Sequence, residues 1–311
     1  VTPSPFPYRR FSDYLKETFG EKVYRVPVDA GFSCPNRDGT KGIGGCIYCD
    51  SRGSAAPFIQ RSLAIRDQIA DGAARVARRY KARKFIVYFQ AFSNTYERPE
   101  ILEKIYAQAL GFEGMVGVAI ATRPDCIDRE RLEVIHKVFR GLTVWMEYGL
   151  QTTHERTLAW MQRGHGLGDF TRAVEMTREF PFRVGVHIIL GLPGETREMT
   201  LETVRFLAKV GIDDIKIHML HVLKGTRLAR LYEKTPFELL SMEAYISLVC
   251  DALELLPPSV VIQRLTGDAP AENLVAPTWI LKKGKTLNGI IKEFHRHGTR
   301  QGSRWEERGN P

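Results

Sequence analysis

The sequence predicts a parallel α/β fold, and three observations carry that prediction. Short, nearly continuous apolar runs recur through the middle of the chain, as in strands buried on both faces. Amphipathic segments of helical length alternate with them, as parallel strands require for their crossovers. Polar residues of chemically useful types gather just after the runs. The first strand is Val23-Tyr-Arg-Val-Pro-Val28, where Pro27 lacks an N–H and favours a sheet edge. Phe85–Phe89 is the second, followed by a helix over Pro99–Leu110 with proline in its first turn. Val116–Ile120 is the third, followed by a helix from Asp128 to Phe139. Leu142–Tyr148 is the fourth, with helices around Glu155–Met161 and Phe170–Glu179. Arg183–Ile189 is the fifth, leading to a helix over Arg197–Val210, and Asp214–His218 is the sixth. Six strands of this kind close either as an open doubly wound sheet or as a curved partial barrel. Periodicity does not choose between them.

Cys34, Cys46 and Cys49 fall in one glycine-rich stretch, CPNRDGTKGIGGCIYCD. Three thiolates can hold a [4Fe–4S] cluster by three irons and leave the fourth open. Electron-transfer clusters take four cysteines, and structural zinc sites also prefer four ligands. A C-x-x-C redox pair would leave Cys34 unused. A zinc site could recruit a histidine, but none occurs in residues 1–135. Five cysteines in 311 residues are too sparse, and odd in number, for a disulfide framework. Gly39, Gly42, Gly44 and Gly45 let the long loop wrap closely around a bulky group. Cys126 and Cys250 lie in or beside apolar segments and read as small core residues.

Composition sets the outer bounds. Hydrophobic content of 43% and charged content of 26% suit a soluble globular chain, large enough for one big domain and an appendage. No apolar run approaches the roughly 18 residues of a membrane helix. The opening VTPSPFPYRRF lacks the apolar stretch of a signal peptide, so a cytoplasmic location with reduced thiols is expected. The net charge of +9 concentrates in two places. One is Arg61 to Lys84, ending in Arg75, Arg78, Arg79, Lys81, Arg83 and Lys84; the other is the tail with Lys282, Lys283, Lys285, Lys292, Arg296, Arg300, Arg304 and Arg308. Both suit a polyanion such as RNA, and both equally suit a solvated helix face and a frayed tail.

The strand ends share a pattern. The cysteine loop follows strand one, Gln90 and Ser93 follow strand two, and Thr122-Arg-Pro-Asp125 follows strand three. Glu147 and Gln151 bracket the end of strand four, His187 and Gly191-Leu-Pro-Gly-Glu195 close strand five, and His218 and His221 close strand six. Sites in β/α folds gather at the carboxyl ends of strands. Each residue also has a plainer role: a core histidine for His187 or His218, an ion-pair partner for Glu147, a turn for GLPGE.

The ordered set GFSCPNRDG, YFQAF, TRPDC, EYGLQT, RGH, HIILGLPGE and IKIHMLHVLKGT resembles the YhcC/YtqA-type radical S-adenosylmethionine (SAM) proteins. These are relatives of the Elongator catalytic subunit and of oxygen-independent coproporphyrinogen oxidase. The tail QRLTGDAPAENLVAPTW is closer to the YtqA branch. The resemblance implies a partial (β/α)6 TIM-type barrel over residues 23–240, an N-terminal segment 1–22 and a helical, basic C-terminal extension 241–311. It implies that Cys34, Cys46 and Cys49 ligate a [4Fe–4S] cluster, with SAM chelated at the fourth iron and cleaved to a 5′-deoxyadenosyl radical. Tyr48 would sit beside the adenine and cluster. Gln151 and Arg163 would contact SAM, the latter as a fork for its carboxylate. His187 would face the ribose, and Gly191, Pro193 and Gly194 would shape the turn near the adenine. Gln90, Arg123 and Glu147 are further cofactor-binding candidates at the strand ends. Ala121 or Thr122 stands where relatives carry a glutamate, which Arg123 and Asp125 could replace unless they form a structural turn pair.

For the substrate, the YtqA branch implies a tRNA wobble uridine whose carboxymethylaminomethyl group is trimmed to aminomethyl. An electron donor such as flavodoxin or ferredoxin would be needed, and no membrane partner is expected. His218, His221, Lys216 and Lys224 are expected to face substrate and recognise it or move a proton. Trp279, Phe294, His295, His297 and Trp305 could stack on unpaired bases, although Trp279 suits packing better. Two other readings stay open: a radical SAM enzyme acting on a metabolite or protein, and a non-catalytic iron–sulfur or zinc adaptor.

Overall fold

The computed structural model describes residues 6–306 apart from 54, 56–58, 60 and 61. Arg61 and Arg308 therefore lie outside the described residues. In chain order the elements begin with α1 (Phe11–Phe19), β1 (Val23–Val28), α2 (Ile65–Tyr80), β2 (Lys84–Phe89), α3 (Pro99–Ala107) and β3 (Met115–Thr122). Next come α4 (Arg129–Val138), β4 (Thr143–Gln151), α5 (Glu155–Trp160), α6 (Leu167–Thr177), β5 (Phe182–Leu190) and α7 (Arg197–Val210). The chain continues through β6 (Asp214–Met219), β7 (Val222–Leu223), α8 (Arg227–Lys234), α9 (Met242–Glu254), β8 (Val261–Arg264), β9 (Leu274–Ala276) and α10 (Lys283–His297).

Seven strands form one sheet in the order β1-β2-β3-β4-β5-β6-β8, and β7 pairs with β9 in a small separate ribbon. The pairs β1–β2, β2–β3, β3–β4 and β6–β8 are parallel. This order chooses between the two closures left open by periodicity. A doubly wound sheet reverses direction at a switch point. Here each strand through β6 is laid down beside its predecessor without reversal, the winding of a β/α barrel.

Local chemistry accounts for the elements. β2 is buried at every position after Lys84, as its unbroken apolar run requires. β1, with its proline, stands at one edge of the sheet. α7 begins where the Thr196 side chain accepts the Met199 N–H and ends at Gly211 in the left-handed region. α2 buries Ile65, Gln68, Ile69 and Val76 on one face and exposes its arginines on the other. Sequence patterning gave six sheet strands. The seventh, β8, lies within 241–311 and pairs with β6.

The chain divides into two compact units. One comprises Leu15–Leu150 and Gln162–Gly185; its core centres on the fully buried Tyr106, whose ring lies 5.1 Å from Phe89 and 5.5 Å from Phe139. The other comprises Val1–Tyr14, Gln151–Met161 and Val186–Pro311. Its core includes Tyr245, which donates to the Leu265 carbonyl at 3.1 Å and packs 5.4 Å from Trp279. Among the described residues no helix is long and apolar enough to cross a membrane.

Candidate functional site

The stretch after β1 folds back on itself. The Cys34 carbonyl accepts the Arg37 N–H at 2.8 Å, and the Pro35 carbonyl accepts that of Lys41 at 2.7 Å. Asp38 bridges Ile43, and the Gly45 N–H reaches the Asn36 carbonyl at 2.7 Å. A further turn, Cys49 N–H to Cys46 carbonyl at 3.1 Å, completes the loop. The long gap between Cys34 and Cys46 is thereby closed by backbone bonds, and Cys46 lies near enough for its charge to act on both other thiols.

The three thiols differ in their surroundings. Burial opposes the Cys46 thiolate, but Arg163, Arg123 and Asn36 outweigh it and hold this thiol below its ordinary value. Arg163 Nη1 and Asn36 Nδ2 donate to its Sγ at 3.2 and 3.4 Å. Burial pushes the Cys49 thiol up to about 11 despite Arg37, whose Nη2 donates to Sγ at 3.1 Å. Burial also raises Cys34, against the pull of a backbone N–H bond from Asn36. Among the described residues, no three His, Cys, Asp or Glu side chains converge as ligands of a single metal ion. A cubane places each thiolate on a different iron, so its donors need no common point.

Arg163 is the hub. Besides Cys46 it donates from Nη1 to the Tyr48 hydroxyl at 2.9 Å and from Nη2 to the Gly149 carbonyl at 2.5 Å. It also meets His165 Nε2 through Nη2 at 2.9 Å and Nε at 3.2 Å. The resemblance implies a fork for the SAM carboxylate; in this structure the guanidinium is committed to a thiol, a phenol, an imidazole and a carbonyl. Burial, with Arg163 and Arg123 alongside, pushes His165 down to about 2, so the ring is neutral and Nε2 is its acceptor. Burial likewise raises the Tyr48 hydroxyl, which stays protonated.

The remaining candidates of this unit have structural partners. Arg123 forms two bonds to Asp125, at 2.9 and 2.8 Å, and a third to the Arg163 carbonyl at 2.6 Å. It is the turn pair that the sequence left as the plainer reading, and it also supports the Arg163 backbone. Glu147 lies inside β4, which runs on to Gln151, and its Oε1 is 2.6 Å from Arg25 Nη2. Gln90 is half-buried at the end of β2, where its N–H reaches the Val28 carbonyl at 3.4 Å. Sequence reasoning passed over Asn36, Arg37 and His165, although all three stand within motifs it singled out.

The other unit gathers a basic cluster. The rings of His187 and His218 are 5.9 Å apart, and Lys216 is 2% exposed. Burial, together with Arg264, His187, Lys216 and His221, holds His218 well below the ordinary imidazole value, so it is neutral and a weak base. His221 Nδ1 lies 3.2 Å from the Met219 carbonyl. Lys224 does not join this cluster; it is exposed and bonds the Asn273 carbonyl through its backbone N–H. His187 lies within β5, which continues to Leu190, so it does not close that strand. Gly191 follows at φ +76° with Leu240 against its Cα, where a Cβ would stand 2.8 Å from that side chain. Pro193 and Gly194 complete the turn, in which the Glu195 N–H meets the Leu192 carbonyl at 3.0 Å. Gln151, at φ +77°, holds a conformation uncommon outside glycine at the end of β4.

Two aromatic expectations in the tail are resolved. Phe294 is fully buried and cannot stack on a base. Trp279 packs on Tyr245 and donates to the Leu240 carbonyl at 2.9 Å. His295 and His297 are exposed, and Trp305 is half-buried. Cys126 and Cys250 are buried, and burial pushes each thiol up to about 12.

Comparison with known proteins agrees with this architecture. Residues 34–207 match the model of the radical SAM superfamily, and residues 212–296 match that of the Radical_SAM C-terminal domain. The YtqA protein of Bacillus subtilis is 40% identical over 306 residues, covering 96% of this chain and 95% of that protein. A tRNA uridine(34) acetyltransferase of Methanocaldococcus jannaschii is 26% identical over 187 residues, covering 59% of this chain and 33% of that one. The structure of the Elp3 protein of Methanocaldococcus infernus superposes with a TM-score of 0.69 at 17% identity. It covers 90% of this chain, which spans 64% of that solved chain; the two share the partial-barrel fold. The chain belongs to the radical SAM superfamily of enzymes, within its YhcC/YtqA group, a family whose cofactors are a [4Fe–4S] cluster and SAM.

Proposed function

We propose that Cys34, Cys46 and Cys49 hold a [4Fe–4S] cluster at which SAM is cleaved, and that the substrate is the wobble uridine of tRNA. Its carboxymethylaminomethyl side chain would be trimmed to aminomethyl. The observation that carries the first part is the single loop presenting three soft thiol donors, with guanidinium N–H groups on two of the sulfurs. Buried cations offset the charge of three thiolates, so the donor set fits a cluster. When bound, the cluster supplies the electron that breaks a carbon–sulfur bond of SAM.

The chain's own residues do the positioning. Asn36 and Arg163 orient the Cys46 sulfur, and Arg163 fixes the Tyr48 hydroxyl. His165 fixes Arg163 in turn. His218, flanked by Lys216, His187 and His221, belongs to a cationic cluster that suits an anionic substrate group. Support for RNA comes from the exposed basic end of α2 and from a matched protein named for acetylating tRNA uridine 34.

Anaerobic reconstitution tests the chemistry. A cubane absorption band is expected that disappears when any of the three cysteines is replaced by serine, together with 5′-deoxyadenosine formed from SAM and dithionite. Mass spectrometry of tRNA nucleosides tests the substrate: cells lacking the gene should accumulate the carboxymethylaminomethyl form. Alanine at His218, His221 or Lys216 should abolish turnover and leave SAM cleavage nearly intact; full turnover in all three variants would remove this cluster from the mechanism.

A further inference from the structure

Arg37 lies between the first two cysteines in sequence and touches the third in space. Its Nη2 is 3.1 Å from Cys49 Sγ and also donates to the Asp50 carbonyl. The guanidinium occupies a slot made by its neighbours. Gly45, at φ +88°, leaves the space open: a Cβ there would stand 2.9 Å from Arg37 Nε and 3.2 Å from Cζ. The Phe92 ring lies 5.3 Å from the guanidinium carbon. Phe92 is itself fixed by an N–H bond to the Gly53 carbonyl at 3.0 Å. A surface arginine would be free to choose among rotamers; this one is held against one sulfur.

We infer that Arg37 is a positioning residue that holds the Cys49 sulfur and raises the reduction potential of the cluster, an inference that rests on the cluster reading above. Reduction is a one-electron step, [4Fe–4S]2+ plus an electron giving [4Fe–4S]+, and it adds negative charge spread over the irons and their sulfurs. A cation donating an N–H bond to one of those sulfurs stabilises the reduced form more than the oxidised one. Cys46 has the same type of support from Arg163 and Asn36, whereas the bond acting on Cys34 comes from the Asn36 backbone. Arg37 therefore makes the Cys49 corner electronically distinct from that of Cys34. The Asp50 carboxylate is the opposing charge nearby, and it accepts the Arg52 N–H at 3.1 Å.

The test is an EPR-monitored redox titration of anaerobically reconstituted protein, with iron and sulfide content measured in parallel. Arg37→Gln removes the charge and the fork; Arg37→Lys keeps the charge and loses the planar fork. The expected result for Arg37→Gln is a cluster harder to reduce by at least tenfold in the reduction equilibrium, which is about 59 mV for a one-electron couple. Arg37→Lys should move the potential the same way by less. If Arg37→Gln fails to take up iron, Arg37→Lys decides alone by the same sign. An unmoved or raised potential in a fully loaded variant overturns the inference, and so does failure of both variants to load, which would make Arg37 an assembly residue. Failure of the wild-type chain to form a cubane dependent on the three cysteines would instead overturn the underlying cluster reading.

Discussion

Arg123 and Asp125 carry opposite charges almost out of reach of water: their side chains are 4% and 2% exposed. Burial alone would raise the Asp125 carboxyl, but Arg123 and the Lys41 ammonium at 2.7 Å outweigh it and hold it below the usual carboxylate range. Removing one member of a buried pair leaves the other charge uncompensated, so Asp125→Asn is expected to cost about 3 kcal/mol in urea unfolding. The pH dependence follows from the sign of the shift. An unfolded aspartate titrates near about 3.9, and the folded one lies lower. The stabilisation is therefore complete above that value and is lost as pH falls through the folded pKa. The gap between wild type and variant should be constant in neutral solution and narrow in the acid range; a gap that persists unchanged below pH ~3 would count against the pair. The residue scale also marks the limit of what spacing reveals. Three cysteines in one glycine-rich stretch are legible because ligands of one centre recur in a fixed local pattern. Arg163 is 117 positions from the thiol it supports, and only folding brings them together. Arg37 and Asn36 are local to the loop, yet their role depends on its backbone closing over them. Glu147 reads from sequence as an ion-pair partner or a cofactor contact, and its partner Arg25, 122 positions away on β1, is visible only in the fold.

Helix α2 packs on β1 through a glycine, and the sign of a substitution there depends on the contact. In an isolated helix, alanine is better than glycine by about 1 kcal/mol. At Gly72, however, a Cβ would stand 2.3 Å from Cγ1 of Val26, which is fully buried in β1. Gly72→Ala should therefore destabilise by about 1–3 kcal/mol through overpacking. Val26→Ala makes room, so the double variant should be more stable than the sum of the single effects predicts. Strict additivity in urea unfolding would show that the helix shifts freely. Most elements were legible because their apolar runs are long and their caps local: β1 and α7 match the sequence boundaries residue for residue. β8 was not, since it spans only Val261–Arg264 and follows a Pro257-Pro258 pair in a segment read as an appendage. β4 and β5 end at Gln151 and Leu190, three residues and one residue beyond the boundaries that the apolar runs suggest.

At the scale of the whole molecule the net charge of +9 divides into two kinds of cation. Part of the C-terminal charge is already answered within the fold: Lys283 pairs with Asp268, Arg296 with Glu293, and Arg304 with Asp251. At the end of α2, Arg78, Arg79 and Lys81 are exposed, and among the described residues no carboxylate pairs with them. An ion-paired arginine must give up its partner before neutralising a phosphate; a solvated one releases a counterion directly. Binding of tRNA should therefore weaken with salt, and each phosphate contact contributes about 0.7–0.9 to the slope of log affinity against log salt. Replacing Arg78, Arg79 and Lys81 together by glutamine should flatten that slope by about 2. The paired set Arg296 and Arg304, replaced in the same way, should change it much less. Both variants should retain the 5′-deoxyadenosine yield of the wild type in the absence of RNA, because neither touches the cysteine loop. Equal slopes for the α2 variant and the wild type would exclude this helix from the RNA contact. No binding at low salt by the intact chain would move the substrate from RNA to a metabolite or protein, leaving the cluster chemistry untouched.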